Sequence, residues 1–150
     1  MASKVPGRTI RTAIIGYGMG RHHASLFRDN PDFELKVVCD LDEGRRTQAS
    51  EDHPQADTSG SMAAVLRRDD IDLAIVVTPH HLHAKHVVQC LRAGKHTVVD
   101  KPMCVTVREA DRMIDAATRA RRVLTVFQNR RLDGDYMTIR QVVDEGLIGD

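Results

Sequence analysis

Strand-length apolar runs alternate with helix-length amphipathic stretches from one end of the sequence to the other, and this rhythm leaves few folds open. A continuous apolar run suits a strand buried on both faces, as in a parallel sheet covered by helices on both sides. Strand-like runs fall at residues 9–15, 34–39, a short 56–58, 73–77, 97–99 and 123–127. Helical stretches fall at 20–28, 43–51, 62–67, 81–93, 107–120 and 135–145. The punctuation agrees: an Asp29-Asn30-Pro31 turn closes the first helix, Ser61 and Thr106 stand at cap positions, and Gly94 and Gly146 follow helix ends. Six strands joined by right-handed crossovers predict an α/β domain with a doubly wound parallel sheet, in which ligands sit beyond the C-terminal strand ends.

A chain of 150 residues, 41% hydrophobic, is long enough for one domain with its own core, so residues 9–150 read as that domain and the polar residues 1–8 as a tail. Lys and Arg number 22 against 21 Asp and Glu, which gives no electrostatic reason to expect a nucleic acid or an anionic membrane as partner. The apolar runs fall short of the roughly 20 residues that span a bilayer, and the tail lacks the apolar stretch of a secretory signal, so a cytoplasmic location is expected. Cys39, Cys90 and Cys104 form no CxxC pair and read as free thiols, Cys39 as a small core hydrophobe. No internal repeat or low-complexity tract interrupts the pattern.

The first strand runs into Gly16-Tyr17-Gly18-Met19-Gly20 and then a helix, the order that a dinucleotide pyrophosphate needs. Gly16 permits a tight turn, Gly18 lets backbone amides approach phosphate without a Cβ in the way, and the helix N-terminus adds free N–H groups and a positive dipole end. Met19 and Gly20 complete the candidate phosphate loop. Asp40 ends the second strand about 20 residues later, where a carboxylate accepts hydrogen bonds from the adenosine ribose hydroxyls. That carboxylate points to NAD, while Arg45 and Arg46 just beyond it leave NADP open. Arg21 stands where the third glycine of GxGxxG falls, so the turn looks one residue short. The same spacing suits methyltransferases that use S-adenosylmethionine, although these usually carry an acid two positions before the first glycine, where this chain has Ile14.

The second half contains Thr78-Pro79-His80-His81-Leu82-His83, then Ala93-Gly94-Lys95-His96, then Asp100-Lys101-Pro102. These motifs, with His23-Ala24, the run Phe127 to Arg131 and the terminal Glu145-Gly146-Leu147-Ile148-Gly149, resemble the glucose-fructose oxidoreductase, inositol dehydrogenase and rhizopine-catabolism (Gfo/Idh/MocA) family. The resemblance covers nearly the whole chain. It implies a Rossmann-type NAD(P)-binding domain of an oxidoreductase that moves a hydride between nicotinamide and a sugar or polyol. It also implies that Lys101 is the catalytic residue, beside the nicotinamide ribose and the substrate hydroxyl, in a turn with Pro102 that admits a cis bond. Thr78 and Pro79 would line the cofactor channel, His83 matches the family histidine, and Asn129 and Arg130 match positions near the nicotinamide. Asp100 replaces the usual Glu of EKP, with a reach one methylene shorter.

His80, His81, His83 and His86 cluster at a helix start, but no Cys or carboxylate joins them at a recurrent zinc spacing, so no metal is expected. Family members carry a second, substrate-binding domain through which they largely associate. This sequence stops where that domain would begin, so these 150 residues are expected to bind cofactor and turn over little, and the complete protein to be a homo-oligomer. A noncatalytic dinucleotide-sensing module remains an alternative, because a Rossmann fold does not by itself establish chemistry.

Overall fold

A computed structural model describes residues 9–28 and 30–149, Arg28 through its backbone alone; the tail at 1–8 and Asp29 of the expected turn lie outside the described residues. Strands β1 (Ile10–Ile15), β2 (Phe33–Cys39), β3 (Asp57–Ser59), β4 (Leu73–Val76), β5 (His96–Val99) and β6 (Leu124–Val126) form one sheet. They alternate with helices α1 (Gly20–Arg28), α2 (Glu43–Asp52), α3 (Met62–Leu66), α4 (His80–Arg92) and α5 (Val107–Ala120), and α6 (Gly134–Asp144) follows β6. The sheet order is β3-β2-β1-β4-β5-β6 and the paired strands are parallel, with Ile15 opposite both Cys39 and Val76. The chain leaves β1 toward one edge and returns after β3 to build toward the other. The strand order therefore reverses between β1 and β4, where a crevice opens at the C-terminal strand ends.

The two directions of travel put helices on opposite faces, because each crossover is right-handed. On one face Ile14, Val38 and Ile75 pack with Ala24 of α1 and Ala49 of α2. On the other, Ala74, Val76 and Val99 pack with Val87 and Leu91 of α4 and Met113 of α5, while Ala13, Ile15 and Val37 meet Val65 of α3. Neighbouring residues of β1 and β4 thus serve opposite cores, which is why β4 and the half of β1 at 13–15 are continuously apolar. Cys39 and Cys90 are buried and free, their thiols pushed up to about 11 and about 12 by burial.

Local chemistry sets the helix ends. Thr106 Oγ1 accepts from Glu109 N (3.3 Å) and Glu109 Oε2 from Thr106 N (3.1 Å), a reciprocal cap for α5. Ser61 caps α3 through Ala64 N. Gly94 lies in the left-handed region (φ 76°) after α4, as its position predicts. Lys95 is buried, and its Nζ donates to the carbonyls of Arg68 and Ile71, which pins the loop ahead of β4.

Several boundaries move by a residue. The third strand runs 57–59 instead of 56–58 because it pairs with β2 from Asp57 opposite Val37, and the last helix begins at Gly134. Two features carried no signal: Arg121 caps α5 in the left-handed region (φ 52°) without being glycine, and a 3-10 turn spans Asn129–Leu132. Helix α6 buries no side chain and exposes Met137, Ile139 and Val143. Among the described residues no helix is long and apolar enough to cross a membrane, and no three His, Cys, Asp or Glu side chains are grouped to hold a metal.

The α5 packing makes a direct prediction. Met113 is 0% exposed and its neighbour Ile114 is 53% exposed. Met113→Ala should cost about 2–5 kcal/mol in urea unfolding, through lost burial and a residual cavity. Ile114→Ala should stay within about 0.5 kcal/mol; equal effects would mean that α5 packs through a different face.

Candidate cofactor site at the strand ends

The glycine turn threads between the ends of β2 and β4. Gly16 N donates to Cys39 O (2.7 Å) and Val77 N to Ile15 O (2.8 Å), so the chain leaving β1 runs against both neighbours. Gly16 has φ 96°, and a Cβ there would lie 2.5 Å from Val77 O, so no other residue fits without moving the backbone. A Cβ on Gly20 would come within 2.8 Å of Ile14 Cγ2. Gly20 therefore supplies the close helix-to-strand packing assigned to the third glycine of the motif. Arg21 needs no such freedom: its side chain reaches outward to Asp52 (2.8 Å). The close packing is thus made by Gly20 within a turn that is one residue shorter than GxGxxG. Gly18 is the open member, with only the Arg45 guanidinium near an added Cβ, at 3.5 Å.

Asp40 lies behind this turn. Its Oδ2 accepts from Tyr17 N (2.7 Å) and its Oδ1 from Asp42 N (2.9 Å), with Arg45 Nη1 3.5 Å from Oδ2. A carboxylate has about four lone-pair positions, so two backbone bonds leave room for ribose hydroxyls. Tyr17 is buried, donates from its hydroxyl to Asp52 Oδ2 (2.7 Å) and sets its ring edge-on to His53. Burial and the Asp52 bond push the phenol pKa up, while the Tyr17 bond and Arg21 hold Asp52 below the usual carboxylate range.

Parallel pairing brings the remaining candidates to the same side of the sheet. Thr78 and Pro79 follow β4; Asp100, Lys101 and Pro102 follow β5, with a cis Lys101–Pro102 bond. Lys101 is exposed, as an ammonium must be to meet a ligand. Asn129 and Arg130 lie in the 3-10 turn after β6. Asn129 Oδ1 is buried without a hydrogen-bond partner, whereas Arg130 is exposed and pairs with Asp133 (2.7 Å). Met19 is exposed on the turn. His83 is buried, its ring nitrogens 2.9 Å from Pro102 O and 2.7 Å from Thr78 O, so any part it plays in a site runs through those carbonyls.

One grouping was not read as a site. His23, on α1, stacks edge-on to Phe127 (4.5 Å between centroids) with Nε2 3.8 Å from Asp100 Oδ1. Its members carried separate motif signals in the sequence, with nothing there to say that they meet. Burial lowers the His23 pKa against the opposing pull of Asp100.

The family model described as "Oxidoreductase family, NAD-binding Rossmann fold", for Gfo/Idh/MocA proteins, matches residues 10–128. The chain belongs to this family. It is 32% identical to scyllo-inositol 2-dehydrogenase (NADP(+)) of Bacillus subtilis over 95% of this chain and 39% of that one. It superposes on the WlbA dehydrogenase of Chromobacterium violaceum, solved with NADH and UDP-GlcNAcA, with TM-score 0.88 and 28% identity over 97% of this chain and 43% of that one. For myo-inositol 2-dehydrogenase of Lactobacillus plantarum the values are 0.86 and 25%, over 95% and 43%. The chain thus spans about two fifths of these relatives. Family membership makes it an NAD(P)-binding Rossmann domain of an oxidoreductase and sets aside the methyltransferase reading.

Two outcomes follow. Gly18→Val should melt near wild type yet weaken dinucleotide binding at least about tenfold by calorimetric titration, because it fills the phosphate cradle. Gly16→Val should lose stability itself; the reverse pattern would misplace the cradle. His23 should titrate below the ordinary imidazole pKa by NMR. A histidine depressed in the folded state binds protons more readily when unfolded, so its contribution to stability is complete above the ordinary value and is lost as pH falls below it. A His23 titration at or above that value would contradict the burial argument.

Proposed function

We propose that this domain forms the cofactor half of a dehydrogenase that moves a hydride between NAD(P) and a ring carbon of a sugar or cyclic polyol. The observation that carries the reading is Lys101: an exposed ammonium at the end of β5, on the same side of the sheet as the glycine cradle. The named activities of the inositol dehydrogenase relatives support the substrate class.

The residues fit a nicotinamide dinucleotide. Gly16 and Gly20 hold backbone where a Cβ could not go, Gly18 leaves the approach open, and the cradle meets the positive dipole end of α1, where Arg21 N and His22 N already donate to Tyr17 O and Met19 O. Asp40 retains acceptor capacity for ribose hydroxyls, and Asn129 Oδ1 is an unused acceptor suited to a carboxamide N–H. When bound, the nicotinamide ring supplies the hydride acceptor or donor. Lys101 Nζ donates a hydrogen bond to the reacting oxygen of the substrate, which orients it and stabilises negative charge there as the hydroxyl proton passes to a general base, a water molecule or a second side chain at the site. Asp100, just before Lys101 in the chain, lies 3.8 Å from His23 Nε2. A noncatalytic sensor would use the same cradle without needing the lysine, so turnover separates the two readings.

Asp40 favours NAD, since a 2′-phosphate would bring negative charge against its carboxylate. Arg45, beside both Asp40 and Gly18, is the cation placed to accept that phosphate once the carboxylate is gone. In calorimetric titrations the unmodified protein should prefer NAD. Asp40→Ser should shift the NADP-to-NAD affinity ratio toward NADP at least about tenfold, and a further Arg45→Ala should reverse much of the gain. An unmodified protein that prefers NADP would overturn this assignment.

The function itself is tested in the intact protein with a panel of inositols and aldoses, following NADH or NADPH absorbance. Lys101→Met should lower turnover about 10²- to 10⁴-fold with dinucleotide affinity little changed. Near-normal turnover in this variant would make the lysine structural.

A further inference from the structure

The catalytic reading of Lys101 leaves open what holds its turn in place. The β4–β5 ladder ends where Asp100 N donates to Val76 O (2.9 Å). Beyond that bond the two chains run on as Val77-Thr78-Pro79 and Lys101-Pro102-Met103, outside regular pairing. His83, in the first turn of α4, lies between them. Its side chain points back toward the helix start, as helical side chains do, and it is 1% exposed. Nε2 is 2.7 Å from Thr78 O and Nδ1 is 2.9 Å from Pro102 O.

Both partners are carbonyl oxygens, which only accept. An imidazole with one N–H satisfies one of them and presses a nitrogen lone pair against the other at under 3 Å. An imidazole with two N–H groups satisfies both. The pairing therefore calls for a doubly protonated ring inside the protein, its charge met by two carbonyl dipoles. Among the described residues no carboxylate bonds to the ring. His80 lies edge-on at 5.5 Å between centroids, and His86 Nδ1 is engaged with Thr78 Oγ1 at 3.1 Å. Lys101 immediately precedes Pro102 in the chain.

We propose that His83 is a positioning residue for Lys101: donating from both ring nitrogens, it staples the Pro102 carbonyl to the Thr78 carbonyl and so fixes the lysine turn against the end of β4. The lysine's role rests on the function proposed above; the staple itself does not. Its consequence is geometric. A reacting oxygen must meet the lysine at hydrogen-bond distance, and a displacement of about 1 Å can cost about 10²-fold in rate. Loss of the staple should therefore lower kcat much more than dinucleotide affinity, because the glycine cradle and Asp40 lie on other elements and only the Thr78-Pro79 segment borders both.

The first arm is NMR on uniformly 15N-labelled protein. His83 should show both ring nitrogens in the protonated range, each coupled to a proton that exchanges slowly because the ring is buried. A ring with one unprotonated nitrogen overturns the proposal. In the second arm, His83→Phe keeps a ring without donors and His83→Gln keeps one donating nitrogen. In the intact protein His83→Phe should lower kcat at least about tenfold with the NAD dissociation constant nearly unchanged, and His83→Gln should fall between it and wild type. The backbone amides of Lys101 and Met103 should shift in His83→Phe. Unchanged kcat, or an equal loss in cofactor affinity, overturns positioning. If His83→Phe fails to fold, His83→Gln and the wild-type ring signals decide. A wild-type protein that turns over no sugar or polyol would refute the dehydrogenase reading, and the staple would then stand or fall on the ring signals and the amide shifts.

Discussion

The approach of Gly16 to the end of β4 is the constraint on which the rest of this domain depends. A Cβ at that residue would sit 2.5 Å from Val77 O, in a backbone conformation with φ 96°. This contact lies at the one place where the sheet reverses its order, between β1 and β4. Because the turn passes so close, α1 can start immediately and direct its N-terminus into the crevice. A side chain at Gly16 would push the turn off β4 and separate the phosphate cradle from the strand ends that carry the other candidate groups.

Around that contact, polar side chains hold loops that regular pairing does not reach. Asp40 accepts from the amides of Tyr17 and Asp42, joining the glycine turn to the end of β2. Lys95 holds the loop ahead of β4, and His83 joins the ends of β4 and β5. Each is a buried polar group whose cost of desolvation is offset by hydrogen bonds to backbone. The consequence for function is rigidity where ligand groups must meet at set distances. The bonds run to backbone atoms, so they constrain the chain path itself.

Helix α6 and the 3-10 turn show a different balance. They follow β6, expose Leu132, Met137, Ile139 and Val143, with Leu147 and Ile148 exposed just after them, and contain no buried residue, although Asn129 Oδ1 is shielded. The contrast with α5, whose Met113 and Ala117 lie in the core, marks where the shared packing of the sheet and helices stops.

What the sequence determined by itself was whatever is written along the chain at short range. Apolar runs such as Leu73–Val76 require burial on both faces, and the helical stretches between them then specify crossovers and a parallel sheet. Gly16, Gly18 and Asp40 could be singled out in the sequence because the roles proposed for them depend on local backbone freedom and on distance from a strand end. Only the tertiary structure decided which polar atoms meet. It showed that Gly20 does the packing expected of position 21, because Ile14 lies directly beneath it. His83 matched a motif that suggested a cofactor contact, yet its ring faces two carbonyls from chain segments 24 residues apart in sequence (102 − 78). His23, Asp100 and Phe127 meet although they come from three different elements or their ends. Such meetings depend on parallel strands delivering their C-terminal ends to one side of the sheet, a long-range condition that local periodicity cannot express.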